Sequence, residues 1–449
     1  MIKRKSFAAV QEAVLALSRV ALSITALFRK VFFVAALPTA VLFMTGCSRT
    51  AEVEPPIDDT VVLNILAGQS TSDAGTEDMI SEAVAEKFPG VELEWECVDW
   101  GENFDDSMRA RLSSGDIPDI IIGKTQDVAA YVDTGILAEI HPEGLEHIYK
   151  GALNTVEKDG VVYGLPYNAW HQGVIYNKDI FEKYGISVPR TREELREVVR
   201  ELEAKGITAF AGHFQESWKT GNLIMQLMIG NIFSEEPFWG DELRAGKVNF
   251  SDSEKARLCM EEIRFIYEHS FEDAQFLQQA ESDRRFDEGQ AAMYPGGCWS
   301  LQFVNQAEQE FHYGIFPYPN ENGDSRLIRE TNMTFMKSAF TKHEELVDEI
   351  FQLLMDDTEL LGEILEFTQT FPVRGDVQLG GQTCIREDVN HYEQSGEIIE
   401  AAVGNTQLIW NYQNNVLARE CLEWLEGEKT LDEVLKNADE NRMDSKREG

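Results

Sequence analysis

The chain has 449 residues, 43% of them hydrophobic and 10% aromatic, with 79 acidic against 40 basic side chains and a formal net charge of −39. That apolar complement makes the chain globular, and its length exceeds the ~250–300 residues at which one hydrophobic core stops growing, so two domains are expected. The acidity excludes nucleic acid as a partner, because phosphate binding needs clustered Lys and Arg.

Residues 1–46 carry six basic groups (Lys3, Arg4, Lys5, Arg19, Arg29, Lys30) and one acid, Glu12, so the remainder stands at −44. An apolar run from Val31 to Thr45 follows Arg29-Lys30 and ends at Gly46-Cys47. A basic start, an apolar centre and a small residue before the cut describe a secretory signal. The other reading, an N-terminal transmembrane helix, needs a run of ~20 residues, and this one is shorter and interrupted by Pro38. Met44-Thr45-Gly46-Cys47 resembles the lipobox of bacterial lipoproteins. That resemblance implies a signal peptide over 1–46, acylation of Cys47 and a lipid-held protein on the outer face of the membrane. Residues 47–60, polar and containing Pro55-Pro56, read as a tether. The other cysteines (Cys97, Cys259, Cys298, Cys384, Cys421) are odd in number and widely spaced. They form neither a disulfide framework nor a metal motif, and most are expected to be small buried hydrophobes.

Beyond the tether, strand and helix patterns alternate. Val61–Ala67 reads as a buried strand, Gly75–Phe88 as a helix stopped by Pro89-Gly90, and Val91–Val98 as a second strand. A helix over Phe104–Leu112, a fully apolar strand at Asp119–Gly123 and a helix over Val128–Asp133 follow. Such alternation argues for a parallel sheet with helices on its faces. Thr191…Glu194, Thr341…Glu344 and Thr430…Glu433 have capping-box spacing. Glu254–His269 and Leu346–Met355 carry clear helical periodicity.

No nucleophile elbow, zinc-protease motif or phosphate loop occurs, the eight histidines are scattered, and no cofactor is implied. Instead, Trp100, Trp170, Trp218, Trp299 and Trp410 each sit beside polar residues or turn signals. Sugar rings stack their C–H faces on aromatic faces, and their hydroxyls need amide and carboxylate partners. A set of indoles among amides and acids therefore suits carbohydrate.

Several segments resemble the extracellular solute-binding proteins of carbohydrate ABC importers, the family that includes maltose-binding protein. They are Gly115–Gly123 with Gly135–Ile140, Asp159–Tyr167 running on to Ile175–Gly185, Pro189–Leu195, and Phe286–Met293 with Gly296-Gly-Cys-Trp299. The segments occur in the family's order. The resemblance implies a two-lobe α/β fold of the periplasmic-binding-protein type II class, with hinge-linked lobes around a ligand cleft. The N-lobe falls at 60–168 and 319–370, the C-lobe at 172–316 and 372–449. It also implies a monomeric, non-catalytic receptor that delivers a mono- or oligosaccharide to a membrane permease.

On this sequence, Trp299 matches the family's stacking tryptophan, and Glu216 with Trp218 match an acid and an aromatic of the cleft. Gln69, Gln126 and Asp127 fall where the maltose binder has charged contacts, Trp170 where it has a cleft acid, and Trp410 near its last stacking aromatic. Gly123 stands where that protein has an aromatic. These departures leave the sugar open. Two other readings stay open too: a different solute (polyamine, peptide or metal) on the same fold, and a surface enzyme acting on polysaccharide.

Overall fold

The computed structural model describes residues 60–69, 74–99, 102–302, 312–377, 385–403 and 412–442. The expected signal (1–46), Cys47, Trp100, Cys384, Trp410 and the expected tether apart from Thr60 lie outside them.

The apolar run at the start of the described chain becomes β1 (Val61–Gln69). Helix Thr76–Lys87 returns it to β2 (Val91–Asp99), parallel to β1 from Val61↔Val91 to Gln69↔Asp99. Helix Glu102–Ser114 leads to β3 (Ile120–Gly123), parallel to β1 on its other side. Parallel strands require such crossovers. Helix Thr125–Asp133 follows, then a small hairpin of β4 (Glu157–Lys158) and β5 (Val161–Val162). Its two-residue turn, Asp159-Gly160, takes positive φ at both residues (53° and 82°), which asparagine, aspartate and glycine tolerate best.

Next comes β6 (Leu165–Asn177), buried along all 13 residues. The second half adds β7 (Thr208–Phe210), β8 (Ala291–Gly297), β9 (Tyr313–Phe316), β10 (Leu327–Lys337), β11 (Phe371–Pro372) and β12 (Ile398–Glu400). One sheet runs β2-β1-β3-β10-β6-β8-β7, with β9 and β11 also on β6 and β12 on β10. β6 and β10 are the long shared strands: β6 pairs β10 early (Leu165↔Phe335) and β8 and β9 late (Tyr176↔Met293, Asn177↔Tyr313).

Because that sheet is uninterrupted, the described residues form one contact-defined unit. The apolar cores within it nevertheless separate. On β1, β3 and β10, Ile65, Ile122 and Phe335 face one core while Leu66, Ile121 and Met336 face a second layer, as strand alternation dictates. A larger core gathers Val174, Phe210, Leu223, Ile263, Tyr294, Phe316 and Leu417. The first core holds Ala169, Met333, Leu365 and Val373, and the larger one Trp170, Ile328, Phe371 and Ile385, so the chain passes between them along β6, along β10 and around β11. Leu327 and Ile328 belong with the larger core because β10 itself crosses over, and at β11 Phe371 packs into the larger core while Val373 packs into the first.

Capping boxes form at Thr191 and Thr430, where hydroxyl and N3 carboxylate satisfy each other's backbone donors. The expected box at Thr341 does not form. Its hydroxyl donates to Asp119 Oδ1 at 2.6 Å, and helix Glu344–Asp356 starts from His343 without a side-chain cap. Cys259, Cys298 and Cys421 are buried as expected, whereas Cys97 is exposed. No helix among the described residues is long and apolar enough to cross a membrane.

Where the cores meet, on the β6 face carrying His171, Arg329 forms a buried charge cluster. It donates to Glu393 Oε1 (2.8 Å) and from Nε to Glu400 Oε1 (3.0 Å), and its guanidinium lies 4.5 Å from the Tyr149 ring centroid.

Candidate functional site

In open α/β sheets ligands bind outside the carboxyl ends of the parallel strands. β1 ends there at Gln69 and β3 at Gly123; the side chains of Gln69 and Gln126 lie outside the description. Asp127 is half-buried in the first turn of the helix after β3, its amide donating to the Lys124 carbonyl at 3.0 Å. Gly123 has no room for a side chain while Met336 stays in place, because a Cβ would lie 2.6 Å from Met336 Cε.

Glu330 is the one residue of β10 that is not buried, and β6 has none. Lys124 Nζ lies 3.1 Å from its Oε1, and Gln172 Nε2 donates to its Oε2. Gln172 Oε1 accepts from Asn222 Nδ2 at 3.3 Å, and Asn222 Oδ1 accepts from Gln226 Nε2 at 2.8 Å. A hydrogen-bonded floor therefore runs from the end of β3, across β10 and β6, to helix Ser217–Met228. Trp170 pairs in register with Glu330 and shares a strand face with Gln172, but only 5% of it is exposed.

That helix forms the far wall. Trp218, Asn222 and Gln226 recur at i, i+4, i+8, so the Trp218 indole stands one turn from the amide that reaches the floor. Glu216, its N-cap residue, leaves its own helix uncapped. Its Oε2 instead accepts from the Gln279 amide at 2.7 Å and sits 3.5 Å from His213 Nδ1. Bonds from His213, the Gln279 backbone and the Trp218 side chain hold its carboxyl down at about 2, so it is an anion at any physiological pH. His213 Nε2 is 3.2 Å from the Tyr294 hydroxyl.

Trp299 sits just past β8, half-buried, with its ring flat on Gly297: a Cβ there would lie 2.0 Å from the ring. Gly297 is the cross-strand partner of Gln172, and directly opposed residues share a sheet face. Trp299 therefore stands beside the floor amide. Ser300 Oγ donates to the Tyr294 hydroxyl (3.1 Å) and accepts from Gln279 Nε2 (3.3 Å). Both indoles are thus tied to one cluster, Glu216–His213–Tyr294–Ser300–Gln279.

Of the residues read from the sequence, the structure brings Trp170, Glu216, Trp218 and Trp299 together and sets Asp127 three positions beyond Lys124. Sequence reasoning missed Lys124, Gln172, Asn222, His213 and Glu330. The one available signal was an acid beside Arg329 within the strand Leu327–Lys337.

Burial pushes the His213 imidazole down to about 4, with the Glu216 hydrogen bond opposing. Unfolded, it would take up its proton near 6.5, so stability falls as pH drops from about 6.5 to 4, by about 3 kcal/mol from this residue. His213→Gln is expected to flatten that part of the curve in denaturant melts across pH 4–7. An unchanged slope would assign the acid sensitivity elsewhere.

A family model described as bacterial extracellular solute-binding protein matches residues 67–358. The multiple sugar-binding protein of Streptococcus mutans is 26% identical over 244 residues, covering 53% of this chain and 58% of that protein. An uncharacterized lipoprotein of Streptomyces antibioticus is 25% identical over 294 residues, covering 63% and 64%. The chain thus spans about three fifths of these curated relatives. RafE of Streptococcus pneumoniae, solved in its apo form, superposes with a TM-score of 0.69 at 19% identity, over 90% of this chain and 100% of that one. A structure of RafE in complex with raffinose gives 0.70 at 18%, over 86% and 100%. These likenesses show the fold: a mixed α/β structure of the periplasmic solute-binding type.

Proposed function

Given that the chain belongs to the bacterial extracellular solute-binding proteins, we propose that it captures a mono- or oligosaccharide outside the cell and passes it, unaltered, to an ABC-type membrane permease. The observation that carries this reading is a pair of half-buried indoles, Trp218 and Trp299, fixed to one hydrogen-bond cluster beside a floor of amide, carboxylate and ammonium. Two stacked rings and several hydrogen bonds at about 1 kcal/mol each give micromolar binding. The names of the Streptococcus mutans relative and of the raffinose complex point the same way. A polyamine fits less well, since the floor carboxylate of Glu330 already faces the Lys124 ammonium.

In this reading the two cores belong to two lobes, joined by β6 and β10, that close on the ligand through contacts only the shut form makes. Acylated Cys47 and residues 47–60 hold the receptor on the membrane as a monomer. A thermal-shift screen of the full chain with maltotriose, raffinose, xylotriose and spermidine tests the proposal. A sugar at a hundred times its Kd stabilises by about 2.7 kcal/mol and is recovered uncleaved. A shift from spermidine alone, or release of new reducing ends, would overturn it.

A further inference from the structure

Lys219 has no exposed surface, although lysine ordinarily threads its ammonium out to water. It directly follows Trp218 on the helix Ser217–Met228. Its Nζ donates to the Pro295 carbonyl at 2.7 Å and stands 4.4 Å from the Tyr294 ring centroid. A Cβ on Gly296 would lie 2.4 Å from that Nζ, while a Cβ on Gly297 would strike the Trp299 ring. Adjacent strand residues face opposite ways, so the end of β8 is held between Trp299 on one side and the Lys219 ammonium on the other.

We infer that Lys219 is a positioning residue for the ligand site: its buried ammonium ties the helix bearing Trp218 to the strand end bearing Trp299, and so sets the spacing of the two indoles. The inference deepens the carbohydrate reading and rests on it for its effect on affinity. An apolar side chain could fill the same volume, but it could neither bond the Pro295 carbonyl nor lie as a cation over Tyr294. The charged and titratable groups facing it are Glu216 on its own helix, Asp283 on helix Gln279–Asp287, Tyr294 on β8 and His213 after β7. Burial pulls the ammonium below the usual lysine range, opposed by the charges of Asp283 and Glu216, and pushes the Asp283 carboxyl up, opposed by the Tyr294 hydrogen bond and the Lys219 charge.

The test compares Lys219→Met with the wild-type chain, using calorimetry with whichever sugar of the screen binds and near-ultraviolet circular dichroism without sugar. The variant is expected to bind about tenfold or more weakly, with an altered tryptophan band in a chain that still unfolds cooperatively. Lys219→Gln, which keeps a neutral donor for Pro295, repeats the comparison if the methionine variant does not fold. Wild-type affinity in a folded variant, or an unchanged tryptophan band, would overturn the positioning role. A wild-type chain that binds no sugar, yet shows the altered band on substitution, would overturn the carbohydrate reading alone.

Discussion

Trp299→Ala is expected to weaken sugar binding about thirtyfold or more, the loss of about 2 kcal/mol typical of a central aromatic contact, while the fold survives. The ring is half-buried and rests on Gly297, which has no side chain, so truncation opens no enclosed apolar cavity beneath it. What disappears is a flat surface beside Gln172, anchored at the strand end. Calorimetric titration and a thermal melt check the two halves of the claim, and unchanged affinity counts against the site. Gly297→Ala sharpens the test. It retains both indoles but places a Cβ where the ring lies, 2.0 Å from its nearest carbon, so Trp299 must leave its seat. Loss of binding in both variants would show that the seat, and not only the indole, makes the site.

The elements legible in the sequence were those whose signals are local. β1, β2 and β3 and their crossover helices follow from apolar periodicity and from stops such as Pro89-Gly90, and two of the three capping boxes formed as spaced. The third failed because Thr341 found a distant partner, Asp119, 222 residues away. The same limit hid the floor. Lys124 and Glu330 are 206 residues apart and meet only because β10 runs antiparallel to both β3 and β6. Nothing local in the chain announces that adjacency. Trp170 illustrates the converse. The sequence placed it beside the ligand, and it does share the floor's strand face, but the larger core takes up nearly all of its surface.

Arg329→Met is expected to remove about 3–5 kcal/mol of stability, the usual result of leaving a buried charge without its partner. Arg329 is 4% exposed and serves two carboxylates, Glu393 and Glu400, so its loss strands two acids in apolar surroundings. Burial already lifts the Glu400 carboxyl above its ordinary range, with the guanidinium pulling it down. Without the guanidinium it rises further. A carboxyl whose folded value exceeds its unfolded one loses stability as pH increases, so the deficit should shrink as pH falls toward 5. Glu400→Gln in the same chain should recover part of the loss at pH 7, and urea unfolding of the single and double variants measures both effects. The location gives the result a second meaning. Tyr149, under the guanidinium, precedes the helix Lys150–Asn154, whose Ala152 lies in the first core, while Glu400 follows Ile399 of the larger core. Glu400 also closes on that helix, where a Cβ on Gly151 would stand 2.5 Å from its Oε1. Because the cluster touches residues of both cores, Arg329→Met should also alter the sugar affinity although Arg329 lies on the strand face away from the floor. A full loss of stability with unchanged affinity would mean that β6 and β10 alone fix the joint.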